Sequence, residues 1–218
     1  MAKKTTNTPD PGFLPLPYKT VIAIDPSLTS AAIVWGAGRA QDPLGMERIT
    51  SEAAGQDVNA RITRFWKHAQ NILEPVARLA EPLVVIEGYS HGHSHQAANL
   101  CELGGILRYL IVSDHANLCY VEQAPRIIEV PPTTLKKYIT GKGNGDKTPM
   151  IAKLAATYGV QFETNDEYDA YGLYLIGLAL IGAVAPNMAQ RAELAKLLTV
   201  KAPKGKKRKK GKTDGSEE

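Results

Sequence analysis

The chain has 218 residues, 44% of them hydrophobic, with a formal net charge of +4; that length and apolar content suit one globular domain with a substantial core and exclude a disordered or fibrous chain. Two cysteines without paired spacing, Cys101 and Cys119, exclude a disulfide framework and a zinc ribbon. The first residues lack the profile of a signal peptide and no later apolar run reaches the length of a membrane span, so a cytoplasmic protein with no membrane partner is expected.

The charge is unevenly spread. Residues 201 to 218 hold eight Lys or Arg against three acids, and the rest of the chain is close to neutral. From residue 199 onward a disordered basic tail is expected, one that attracts polyanions, nucleic acid above all, through counterion release. The same composition would serve a solubilising tail or, in a eukaryotic source, a nuclear-import signal.

Residues 1 to 18, rich in Pro and Thr, read as an unstructured leader, and one ordered domain is expected over residues 19 to 198. "TVIAID" is a buried strand ending on an acid, "SAAIVWG" a second strand and "MERIT" a short third, close enough together for an antiparallel meander. From Gln56 to about Ala80, apolar residues recur at three- and four-residue steps and mark an amphipathic helix, with Pro75 near its end. "PLVVIEG" is a fourth strand, also ending on an acid. After the loop "GYSHGHSH", residues 96 to 114 read as a helix in spite of Gly104 and Gly105. "RIIEVPP" is a fifth strand and "KTPMIAKLAATYG" a helix beginning at Lys147. "NDEYDAYGLYLIGLAL" opens a helix from Asn165 to about Ala185, and a short helix spans Pro186 to Leu198. This order predicts an α/β fold whose later strands are parallel and joined by helical crossovers.

Four carboxylates stand out. Asp25 and Glu87 close the first and fourth strands, at the carboxyl edge where open α/β sheets build their sites. Asp166 and Asp169, three residues apart, share one side of the helix that opens at Asn165. Each has a plain explanation on its own: strand-terminal acids form turns, and first-turn acids offset the helix dipole behind an Asn165 N-cap. Together they would repel one another unless cations neutralised them, and hard oxygen ligands select Mg2+ or Mn2+ over zinc. Two such ions can hold a phosphodiester for hydrolysis.

"IDPSLTSAA", "VVIEG", "VPPTTLKKYITGKGNGDKTPM" and "NDEYDAYGLYLIGLAL" occur in the order found in RuvC-type Holliday junction resolvases of the RNase H-like superfamily, and over residues 19 to 182 the chain resembles that family, its phage-encoded branch most of all. The resemblance implies a ribonuclease H fold: a mixed five-stranded sheet, three antiparallel strands followed by two parallel ones, with helices on both faces. It implies a Mg2+-dependent endonuclease, with Mn2+ able to substitute, that nicks four-way or otherwise branched DNA symmetrically as a homodimer. It assigns Asp25, Glu87, Asp166 and Asp169 to metal binding. Lysines matching Lys136 and Lys147 contact DNA backbone near the scissile phosphate, and Lys147 joins the catalytic set. The helix over residues 96 to 114 would form the dimer interface.

The third block has physical content besides. Lys136, Lys137, Lys142 and Lys147 stand among three glycines, so that backbone can approach a phosphodiester chain while ammonium groups neutralise it. Lys147 also opens a helix, where anions are favoured. Tyr89, two residues past Glu87, could stack on an unpaired base at a branch point or lie in the core. The loop histidines His91, His93 and His95 have weak spacing for zinc and are expected to face the junction instead. Bacterial relatives usually read Asp-Pro-Gly in the first motif; Ser27 stands in place of that glycine, which leaves the loop's path open. A non-catalytic branched-DNA-binding protein on the same fold is the competing expectation. A sugar kinase or actin-like ATPase is disfavoured by the lack of a second glycine-rich phosphate loop.

Overall fold

The strands that close on Asp25 and Glu87 form where apolar residues run together. The computed structural model describes residues 15–52, 57–77, 79, 82–89, 95–118, 125–144 and 146–199. Most of the leader, His91 and His93, Cys119 and the basic tail from residue 200 lie outside the described residues. Strands β1 (Thr20–Asp25), β2 (Ser30–Gly36) and β3 (Gly45–Thr50) are followed by helix α1 (Val58–Leu73). Next come β4 (Pro82–Glu87), α2 (His95–Leu118), β5 (Arg126–Val130), α3 (Pro132–Thr140), α4 (Thr148–Tyr158), α5 (Asn165–Leu180) and α6 (Met188–Leu198). Among the described residues no helix is long and apolar enough to cross a membrane.

The sheet order is β3-β2-β1-β4-β5, with β1 antiparallel to β2 and β2 to β3, and with β4 parallel to both β1 and β5. This is the mixed five-stranded sheet expected, and helices cover both faces. Strand alternation divides the side chains between two cores. Val21 and Ala23 of β1 and Leu83 and Val85 of β4 face α5, whereas Ile22, Ile24, Val84 and Ile86 face α1 and α2. By the same parity Asp25 and Glu87 fall on the α5 face, and the register that pairs Ile24 with Ile86 sets them side by side.

Helix α5 lies across β1, β2 and β4, with α3 and α4 over it. Every residue from Tyr168 to Leu180 is buried, as a helix apolar on all sides requires. Gly177 permits the close seat: a Cβ there would run into Val21 and Val85. Tyr171 and Tyr174 donate their hydroxyls to the carbonyls of Ala40 and Arg39, which satisfies the polar ends of two large buried rings.

Several expectations shift. The block "PPTTLKKYIT", which the sequence pattern assigns to no element beyond its prolines, is helix α3: the two prolines open it, Pro132 at its first residue, and Gly141 closes it at φ +82. The cap of α5 is Thr164, not Asn165. Its hydroxyl accepts from the Glu167 amide while the Glu167 carboxylate accepts from the Thr164 amide, a reciprocal capping box. The same helix ends at Leu180, where Gly182 takes φ +78, rather than near Ala185. The chain is tied to the body before residue 18, since the Leu16 amide donates to the Leu180 carbonyl at 2.8 Å.

Candidate active site

Three of the four singled-out acids meet. Carboxylate oxygens of Asp25, Glu87 and Asp169 lie within 4.8 Å of one another. Each arrives by a different route: Asp25 and Glu87 from the ends of adjacent parallel strands, Asp169 from the first turns of α5 as it crosses above them. Asp25 is 5% and Asp169 2% exposed. Asp166, one turn nearer the helix start and half-buried, lies outside this cluster and instead lines the mouth of the cleft above it. The expected set of four is therefore an inner three and an outer one.

Crowding and burial show in the protonation equilibria. Burial, then the charges of Glu87, Asp169 and Asp166, raise the Asp25 carboxyl well above its ordinary value. Burial also raises Glu87, opposed by the hydrogen bond it shares with Asp25. Asp169 is raised by burial against the pull of Lys147, whose ammonium forms an ion pair with its Oδ2. For Lys147, burial works against the charged form, but Asp169, Asp25 and Glu87 together hold its pKa above normal. Asp166 is raised by burial, with Lys147 opposing.

An all-carboxylate donor set of this compactness fits a hard divalent cation, whose charge would relieve the repulsion that burial intensifies. Asp25, Glu87 and Asp169 are the residues that would hold it. The cleft above them, about 570 Å³, is walled by Pro26, Ser27, Leu28 and Thr29 on one side and by the start of α2, including Gln96 and Asn99, on another. Lys147 and Asp166 border the same cleft.

The remaining candidates separate. Lys136 is near enough for its charge to oppose the rise of the Asp169 carboxyl and to help lower that of Asp146. Lys137 turns the other way, onto buried Glu193 of α6 at 2.8 Å, where it ties α3 to α6. Lys142 is exposed just beyond α3. Tyr89 borders the cleft, but one face of its ring is covered by the Arg108 guanidinium, 4.7 Å from the ring centroid, and its hydroxyl accepts from Arg108 at 2.6 Å. Glu129 completes that group by accepting from Arg108. His95 begins α2.

Two contributors went unread in the sequence, Arg64 and His68 of α1. His68 shares the α1 face of Phe65, Ala69 and Ile72, so periodicity places it inside, yet nothing in spacing pairs it with a loop about forty residues earlier.

No protein-family model matches the chain and no curated protein matches it in sequence. Solved structures do. A Thermus thermophilus RuvC in complex with a Holliday junction substrate is similar at TM-score 0.55 and 15% identity over 78% of this chain and 100% of that one. Another Thermus thermophilus RuvC structure gives 0.52 and 14% over 75% and 95%. The yeast mitochondrial Holliday junction resolvase gives 0.50 and 12% over 84% and 83%. At these identities the likeness establishes the fold, the RNase H-like fold of RuvC.

Proposed function

We propose that this chain is a RuvC-type junction-resolving endonuclease that hydrolyses phosphodiester bonds in four-way or related branched DNA with Mg2+ as its cofactor, Mn2+ substituting. The observation that carries the reading is the convergence of Asp25, Glu87 and Asp169 at the carboxyl edge of the sheet, beside an open cleft that Asp25 and Glu87 line. Similarity to a RuvC whose structure holds a Holliday junction supports the choice of substrate.

Divalent cations bound at such a site supply activation of a water molecule and stabilisation of the departing oxygen. The protein's own contribution is fixed geometry. Two strand ends and a helix buried from Tyr168 onward hold the three inner carboxylates, while Asp166 adds negative charge at the mouth. Lys147 and Lys136 bring positive charge to one rim, where a DNA backbone would lie. Lys147, paired with Asp169, borders the cleft where its ammonium would meet a phosphate of bound DNA.

A four-way junction has two-fold symmetry, so paired nicks call for two equivalent sites in a C2 homodimer. The outer face of α1 and α2 supports this assembly. Val58, Ile62 and Trp66 recur every fourth residue on α1, Tyr109 and Val112 stand out from α2, and all five are exposed apolar residues. The basic segment 201–218 would add sequence-independent affinity for DNA.

The test is nicking of a synthetic four-way junction, with linear duplex, flap and fork as comparators, in Mg2+, Mn2+ or Ca2+. Symmetric nicks in Mg2+ and Mn2+ that favour the four-way junction support the proposal. Junction binding without cleavage in any metal points to a non-catalytic binding protein.

A further inference from the structure

The loop that follows Asp25 contains no glycine and is held from outside. Three successive carbonyls, those of Ser27, Leu28 and Thr29, are each taken by a donor from another element. His68 Nε2 lies 3.0 Å from the Ser27 oxygen, Arg64 Nη2 donates to the Leu28 oxygen, and the Ser51 amide donates to the Thr29 oxygen at 2.9 Å. Arg64 Nε also reaches Ser51 Oγ at 3.0 Å, so one guanidinium joins the loop to the end of β3.

Arg64 and His68 are four residues apart on α1, one above the other on the helix surface. His68 is only 2% exposed. A buried imidazole offers little as packing that Leu would not offer better, and a carbonyl can only accept, so Nε2 carries the hydrogen. Its Nδ1 has no hydrogen-bond partner among the described residues, which suits the neutral ring, and burial together with the neighbouring Arg64 charge keeps the ring's pKa below normal. Pro26, with its fixed φ, stiffens the link between these carbonyls and Asp25. A shift of the loop therefore passes directly to the Asp25 carboxylate.

We propose that Arg64 and His68 are positioning residues for Asp25: by holding the carbonyls of Leu28 and Ser27 they fix the 26–29 loop, and with it the geometry in which Asp25 meets a divalent cation. This rests on the cation-site reading above. Partners of this kind, one step removed from the ligands, typically change metal affinity by about 10- to 100-fold when removed.

The experiment uses the full chain and Mn2+ as the probe, titrated with detection by electron paramagnetic resonance, alongside amide hydrogen exchange over residues 27–30. His68→Leu and Arg64→Met are expected to weaken Mn2+ binding about 10-fold or more and to speed exchange in the loop. His68→Gln, whose side-chain amide can replace the ring N–H, is expected to restore most of both. Affinity and exchange equal to wild type in the Leu and Met variants would overturn the proposal, as would a Gln variant no better than Leu. Should His68→Leu fail to fold, the half-buried Arg64 carries the same test through Arg64→Met. A wild-type chain that binds no Mn2+ would sink the cation site but not the clamp, which loop exchange in the variants then decides by itself.

Discussion

The two faces of the sheet are finished differently. On one, α5 is enclosed on every side, by β1, β2 and β4 below and by α3, α4 and the residues packed around them above. On the other, α1 and α2 bury an inner stripe that includes Phe65, Ile72, Leu103 and Leu107, yet leave Val58, Ile62, Trp66, Tyr109 and Val112 facing outward. Asp169 belongs to the enclosed helix, and that enclosure denies its carboxylate the freedom to move away from Asp25 and Glu87. Rigidly placed charge and spare apolar surface thus lie on opposite faces of the sheet.

The enclosed face is broken most sharply at its acids. Asp25→Asn and Asp169→Asn should each lower junction nicking by at least about 100-fold while gel-shift affinity for the junction is retained; near-wild-type cleavage would separate the acids from catalysis. Gly177→Val should destabilise the chain by about 3 kcal/mol, or prevent folding, because the added carbons meet Val21 and Val85. Urea unfolding reads this. Tyr109→Asp, on the open face where its ring is 64% exposed, should leave the unfolding midpoint nearly unchanged and convert dimer to monomer in sedimentation. A dimer that survives this change would move the interface elsewhere.

A pH series probes the cost of crowding the acids. The folded-state pKa values of Asp25, Glu87 and Asp169 are raised, mainly by burial, so the folded chain keeps protons that the unfolded chain releases above about pH 4. Their contribution to stability is fully present below that pH and is lost as pH rises through the raised values. In chelator the unfolding midpoint should fall across this window, and Mg2+ should flatten the fall. The smallest effect is Gly105→Ala. A Cβ at that position meets nothing within 4 Å, so α2 should gain up to about 1 kcal/mol in the monomer, the reverse in sign of the Gly177 change.

Much of the site could be read from the sequence because its chemistry coincides with element ends. Asp25 and Glu87 each close an apolar run, which puts both at the carboxyl edge of the sheet; that they share a face needed the register of β1 on β4. Asp169 follows from the run that begins at Asn165. The division between Asp169 and Asp166 could not be read, since three-residue spacing puts both on one side of the helix and only the depth of α5 in the core separates them. Helix α3 was hidden by its prolines and β-branched threonines, which resemble a loop until the strand before them is seen to end at Val130. The Thr164-x-x-Glu167 capping box was present in the letters and would have placed the cap of α5 at Thr164 rather than Asn165. The Arg64 and His68 contacts had no local signature, because they join elements that meet only once the sheet has formed.

The most direct measurement is a crystal structure of the full chain soaked in Mn2+, with anomalous scattering used to locate the ion. The expected result is manganese at about 2.0 to 2.2 Å from oxygens of Asp25, Glu87 and Asp169, with the Lys147 ammonium drawn away from Asp169. An anomalous map without a peak among these three carboxylates, at Mn2+ concentrations that support nicking, would contradict it.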